Sequence, residues 1–323
     1  MGIETRIKAA SVLDVSSPSF DHESTTPPTF GRRSLLLGGA AALAATGLLS
    51  ACGGDDETTA PPRHAAAFSL IPLFPRDIPF VGAGEAARLP LSIADQEGIL
   101  LSSVDLAEPL VVDLAFEGTT VATGIEVPVH SNGVPRPYFP LTYTFEHEGV
   151  FDIIAHHQGT EIRSHVQAYD PSSIAIPRVG QPLPPTGVPT TTEHLDVMPI
   201  CTRNPQCEFH EHDFESVLGS GTAVAVLLAS PRYCATNVCG PILEMLIETT
   251  AGRDNLAVLH TEVYQNPTEV EDLFDARLVP LATDYSLVYE PVLFVADGDG
   301  VLQARGDIVL DIDEMNAMLD LVS

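Results

Sequence analysis

Seven prolines fall between Pro171 and Pro199 in "PSSIAIPRVGQPLPPTGVPTTTEHLDVMP". Neither a helix interior nor a central strand tolerates that density, because proline fixes φ and has no amide hydrogen to donate. Residues 171–200 therefore read as a semi-extended linker, and they split a 323-residue chain that is already longer than one ordinary domain. The apolar pattern differs on the two sides, so two globular units of different class are expected. The composition, 45% hydrophobic with no tryptophan, is that of folded domains.

Residues 67–170 read as short strands between turn signals. "LVVDLAFEG", "VFDIIAHHQG" and "TEIRSHVQAYD" are β-branched or alternating runs, with glycine in the connections. The stretch from Tyr138 to Asp170 reads as three successive antiparallel strands, and no long helical period interrupts the segment. This layout resembles an Ig-like β-sandwich, in architecture only, since the segment has neither a cysteine pair nor a tryptophan. His156 and His157 are adjacent in one strand and so point to opposite faces, which argues against a shared metal and marks them as surface or interface histidines. Such a module binds or spaces more often than it catalyses.

At the other end, "FGRRSLLLGGAAALAATGLLSAC" places Arg32 and Arg33 before an uncharged stretch that closes on Cys52. The run is at the short limit for a spanning helix and has the layout of a signal peptide. Leu49, Ser50, Ala51 and Cys52 resemble a bacterial lipobox, and the twin arginine resembles a Tat export signal. The resemblance implies a signal peptide over residues 1–51, lipidation of Cys52 and a tether over residues 52–66. It also implies that the chain sits on the outer face of a bacterial membrane, held there by lipid.

After the linker, "TAVAVLLAS" reads as a buried strand and "GPILEMLIETTAG" as a helix. "NLAVLHTEVY" follows as a strand, "TEVEDLFDARLV" as a helix, "PVLFVAD" and "VLQARGDIV" as a hairpin, and "DIDEMNAMLDLV" as a closing helix. That is an α/β layout. Between the first strand and its helix lies "YCATNVCGP", with Cys234 and Cys239 close enough in sequence to bond. Cys239 precedes a helix N-terminus, where free N–H groups and the helix dipole favour a thiolate. Glu290 opposes this, because a carboxylate brought near sulfur raises a thiol pKa.

This order of elements, with "CGP" at Cys239 to Pro241 and Pro291 opening the hairpin, resembles the thioredoxin fold over about residues 215–323, within an expected domain of residues 201–323 that adds an N-terminal cysteine loop. The resemblance implies that Cys234 and Cys239 are the catalytic pair, that Pro291 is a cis proline beside it, and that Pro291 and Tyr233 help to dock a substrate. It implies disulfide exchange with the thiols and disulfides of other exported proteins, with no cofactor, and makes Cys239 the more thiolate-like sulfur and Cys234 its partner, leaving open which of the two attacks. The motif departs from thioredoxin: Ile242 stands where the second cysteine is expected, the partner lies upstream at Cys234, Tyr233 replaces a tryptophan, and the first strand carries no carboxylate. The wider spacing is closer to peroxiredoxin-like and Sco-type relatives. The Sco-type resemblance makes His260 a copper ligand by type, and a copper chaperone stays open as an alternative, as does a scaffold held by inert disulfides.

In "ICTRNPQCEFHEHDF", Cys201 and Cys207 flank a loop ahead of the α/β unit. In an exported chain this spacing favours a structural disulfide pinning the linker, although Cys201, Cys207, His210 and His212 also compose a zinc-type ligand set. The preferred expectation is the disulfide, with no metal. The net charge of −29 repels phosphate backbones, which argues against nucleic acid as a partner. No P-loop, dinucleotide fingerprint or local hydrolase motif is present.

Overall fold

Two tight turns show how the sequence sets the β architecture. Glu117-Gly118 and Gln158-Gly159 each place two consecutive residues at positive φ, the backbone of a two-residue hairpin turn whose twist matches that of the strands. They join β4 (Leu110–Phe116) to β5 (Thr119–Val127) and β7 (Gly149–His157) to β8 (Thr160–Tyr169), both antiparallel. With β2 (Val81–Gly82) these strands make a five-stranded sheet of order β2-β8-β7-β4-β5. A three-stranded sheet, β1-β3-β6, is built from β1 (Ser69–Pro72), β3 (Ala86–Ala94) and β6 (Phe139–Thr144). The computed structural model describes residues 67–322, Ala235 excepted. The signal peptide, Cys52 and tether expected within residues 1–66 lie outside them.

Period-2 burial holds the sheets together. Leu110, Val112 and Leu114 of β4 are buried while Val111 between them is exposed, and in β7 Phe151 and Ile153 are buried about an exposed Asp152, with Ile154 and Ala155 buried after them. Together with Leu89, Leu91, Ile93 and Leu141 of the smaller sheet, the three leucine and valine residues of β4 and Phe151, Ile153 and Ala155 of β7 belong to one apolar cluster. The strand pairing differs from the sequence expectation in one respect: β7 and β8 pair as read, but β6 pairs with β3 in the other sheet.

A four-stranded sheet of order β10-β9-β11-β12 follows, from β9 (Ala223–Leu228), β10 (Leu256–Thr261), β11 (Val292–Ala296) and β12 (Leu302–Asp307). β9 and β10 are parallel, and β11 is antiparallel to both β9 and β12. All residues of β9 and β11 are buried, as continuous apolar runs in a sheet covered on both faces must be. The helices are α1 (Phe214–Val217), α2 (Cys239–Thr250), α3 (Pro280–Asp284) and α4 (Ile312–Leu319). Among the described residues no helix is long and apolar enough to cross a membrane.

The described residues belong to one compact unit, and the segment expected as a semi-extended linker is part of it. The proline-rich segment lies along the end of the four-stranded sheet: Gly180 N–H donates to Leu302 O (2.8 Å), Leu183 N–H to Gly300 O (2.9 Å), and Leu302 N–H to Gln181 O (2.9 Å). Leu183 and Val188 are buried there. The prolines supply no donors, and the residues between them do. A second tie is polar. Arg88 on β3 donates from Nη2 to Glu314 Oε2 (2.7 Å) and to Val309 O (2.6 Å), and Tyr138 O–H donates to Glu314 Oε2 (2.6 Å). Asp311, the N-cap of α4, accepts from Glu314 N–H (2.9 Å) and pairs with His130 Nδ1 at 2.8 Å.

Candidate functional site

β9 delivers the chain to a turn, Ser230 to Val238, from which α2 starts at Cys239. Asn237 takes a left-handed φ of 59°, a conformation asparagine adopts more readily than most residues. The turn closes on a disulfide between Cys234 and Cys239, with Cα atoms 6.0 Å apart. The two sulfurs are not equivalent. Cys239 is 0% exposed and sits in the first turn of α2, whereas Cys234 is half-buried among exposed Arg232, Thr236 and Asn237. Cys234 Sγ lies 3.3 Å from Thr236 Oγ1.

Glu290 closes the site from the β11 side. Its carboxylate lies within 4.8 Å of both sulfurs, as its position before Pro291 implies, and its Oε2 accepts from Ser230 N–H at 2.7 Å. Burial pushes the carboxyl up to about 7, against the Ser230 N–H and reinforced by the charge of Glu262. The Glu290–Pro291 peptide is cis, as the thioredoxin resemblance implies. Pro291 is itself buried, so its ring offers a partner no surface. Tyr233 is half-buried, with the Arg232 guanidinium 5.9 Å from its ring centre.

A second cluster assembles behind this turn. The loop carrying Cys201 and Cys207, with cis peptides before Pro199 and Pro205, folds over the end of β10. The disulfide expected from their spacing is absent: both are buried free thiols with sulfurs 3.8 Å apart, well beyond the ~2.05 Å of a bond. Instead two imidazoles converge on them. His210 Nε2 is 3.3 Å from Cys207 Sγ, and His260 Nδ1 is 3.5 Å from Cys207 Sγ and 3.8 Å from Cys201 Sγ. The imidazole nitrogens are 3.4 Å apart, and His260 Nε2 lies 2.8 Å from Ala229 O. His212, grouped with this set by its spacing, is exposed. The copper set implied by the Sco-type resemblance is not assembled, because His260 joins Cys201 and Cys207 rather than Cys234 and Cys239.

The electrostatics of the second cluster follow from its packing. The hydrogen bond between the two thiols comes first in holding Cys201 below the ordinary thiol range and Cys207 above it. Burial alone would lower His260, yet the hydrogen bond to Cys201 and the charges of Glu262 and Cys201 keep it above its ordinary value. Glu262, raised by burial to about 7, accepts from Thr202 N–H (2.6 Å) and Thr202 O–H (3.0 Å). Thr202 Oγ1 in turn accepts from Arg232 N–H (3.1 Å), so the two cysteine sites share a framework. A third group, His130, Asp311 and Glu314, is committed to the junction at the head of α4.

No known family matches the chain, and no curated protein does. Among solved structures, the Lin-41 filamin domain is 17% identical and covers 32% of this chain and 94% of its own, with a TM-score of 0.21. A "putative protein disulfide isomerase" from Bacteroides thetaiotaomicron is 12% identical over 45% of this chain and 92% of its own, at a TM-score of 0.27. The titin Ig tandem domains are 20% identical over 32% of this chain and 45% of theirs, at 0.17. All three scores are too low to carry a function across, so the function must be read from the chain's own geometry.

Proposed function

We propose that this chain is an exported lipoprotein that exchanges disulfides with other exported proteins through Cys234 and Cys239. The observation that carries the proposal is the asymmetry of the pair: one sulfur reachable from solvent, its partner buried at a helix N-terminus, and a carboxyl with a pKa of about 7 beside both. An inert staple needs none of these features. Export and the lipid on Cys52 rest on the twin arginine and the lipobox resemblance alone. The β-sandwich would carry the redox turn away from the membrane or bind the partner.

Starting from the disulfide, a substrate thiolate attacks the accessible Cys234 Sγ. The Cys234–Cys239 bond breaks, and Cys239 leaves with the electron pair as a thiolate. The α2 N-terminus favours that charge, and the protonated Glu290 carboxyl gives it a proton. The second substrate thiolate then attacks the substrate sulfur of the mixed disulfide and expels Cys234 as a thiolate. Two substrate thiols have become a disulfide, and the pair has taken up two electrons. Run backwards, the same steps reduce a substrate disulfide, with Cys239 resolving and Glu290 accepting its proton. Accessibility thus makes Cys234 the attacking sulfur, a choice the sequence leaves open.

Trapping tests the assignment. In Cys239→Ser the lone Cys234 should hold a stable mixed disulfide with a small unfolded thiol protein carrying a disulfide. In Cys234→Ser the buried Cys239 should form it at least tenfold more slowly. Equal trapping by both variants, or by neither, would refute the proposal.

A further inference from the structure

We infer that Cys201, Cys207, His210 and His260 form a tetrahedral Zn2+ site. A tetrahedral zinc with Zn–S of about 2.3 Å and Zn–N of about 2.0–2.1 Å requires ligand atoms at fixed separations: about 3.8 Å sulfur to sulfur, about 3.5–3.6 Å sulfur to nitrogen, and about 3.3–3.4 Å nitrogen to nitrogen. The observed separations are 3.8 Å between sulfurs, 3.3, 3.5 and 3.8 Å from sulfur to nitrogen, and 3.4 Å between nitrogens. The remaining edge, Cys201 to His210, lies within 4.8 Å. Five of the six edges of one tetrahedron are therefore matched to within a few tenths of an ångström. A pair of thiols packed for shape alone has no reason to meet this condition.

The surroundings point the same way. All four residues are buried, and a buried thiol pair facing two imidazoles is costly without a cation to share. Two thiolates and two neutral imidazoles balance the charge of a divalent ion. His260 Nε2 is engaged by Ala229 O at 2.8 Å, which turns Nδ1 towards the cluster, as second-sphere hydrogen bonds do for metal-bound histidines. Among the described residues Nδ1 of His210 is buried without a hydrogen-bond partner, so the ring's polar contacts there run through Nε2 into the cluster. Four protein ligands fill a tetrahedron and leave no position for substrate, which marks a structural centre, and soft sulfur with imidazole suits zinc. The ion would clamp the loop from Cys201 to His210 onto β10, holding the Thr202 framework behind the redox turn.

This site uses none of the atoms of the proposed exchange reaction, so either conclusion can fail alone. The full chain, produced with zinc in the medium and purified without chelator or added oxidant, should carry one zinc per chain by elemental analysis. Exchange of that zinc for Co2+ should give the strong visible d–d bands of a tetrahedral ion with sulfur-to-cobalt charge transfer. The Cys234→Ser/Cys239→Ser chain and His212→Ala should give the same spectrum. Cys207→Ser and His210→Ala should lose charge transfer or the d–d pattern. If those two variants do not fold, the wild-type spectrum and metal content decide. A Cys201–Cys207 disulfide found by peptide mapping of the isolated chain, absence of retained zinc, or a weak octahedral cobalt spectrum would each overturn the inference.

Discussion

Replacing Glu290 with glutamine separates the charge of this group from its shape. The amide oxygen can still accept from Ser230 N–H, now 2.7 Å from Oε2, so the turn keeps its hydrogen bond. The folded protein raises this carboxyl from 4.5 to about 7, which at about 1.4 kcal/mol per pH unit sets an upper limit of about 3 kcal/mol. The side chain is only half-buried, so about 1–3 kcal/mol is the expected range. The sign follows from proton linkage. Because the folded state holds the proton more tightly than the unfolded state, stability is complete below pH 4.5 and falls as pH rises through about 7. In Glu290→Gln that component of the fall disappears. The oxidised full chains of wild type and variant, unfolded in urea from pH 4 to 9, should differ little at the acid end. The variant should be more stable by about 1–3 kcal/mol at the alkaline end. Catalysis moves the other way: without a proton partner for Cys239, exchange at neutral pH should slow by about 10²-fold. Parallel stability curves across the whole pH range would refute the placement of a half-buried, proton-holding carboxyl beside the disulfide.

Two further outcomes test how the β-sandwich sheets are tied to α4. Arg88→Ala leaves the part-buried Glu314 without its paired guanidinium and should cost about 2–4 kcal/mol in urea unfolding; a loss below about 1 kcal/mol would show that the junction is not structural. His130 is held above 6.5, first by its hydrogen bond to Asp311, so its contribution is complete below pH 6.5 and lost as pH rises through the folded value. An NMR titration of the His130 ring should place its midpoint above 6.5 in wild type and lower in Asp311→Asn, and an unchanged midpoint would refute the pairing.

The elements that frame the candidate site were legible because their apolar runs leave one solution. The strand of "TAVAVLLAS", the helix from Cys239, the strand of "NLAVLHTEVY" and the hairpin after Pro291 all form where periodicity and proline placed them. The helix expected over "TEVEDLFDARLV" does not form. One 3-10 turn, Leu273–Asp275, stands there instead, and the end of the stretch pairs with the segment leaving β10: Gln265 N–H donates to Arg277 O, and Val279 N–H to Val263 O. The helix begins instead at Pro280, a favoured first position. His260 was visible as a polar residue inside an apolar run, but nothing in linear spacing could pair it with Cys201 and Cys207 some fifty residues away. A buried histidine on a covered strand needs a partner, and that requirement was the one available signal. Glu290 was legible for the opposite reason, since its neighbour Pro291 fixed where it must stand. Which cysteine faces solvent was not, because burial of Cys239 depends on the packing of α2 against the sheet.

The reduction potential of the Cys234–Cys239 bond tests the central claim most directly. The full chain is equilibrated in graded dithiol/disulfide buffers and alkylated, and the tryptic peptide from Tyr233 to Arg253, which carries both cysteines, is quantified in its oxidised and reduced forms. A potential above about −300 mV is predicted for a bond that breaks in use, and a value well below that would identify an inert structural disulfide.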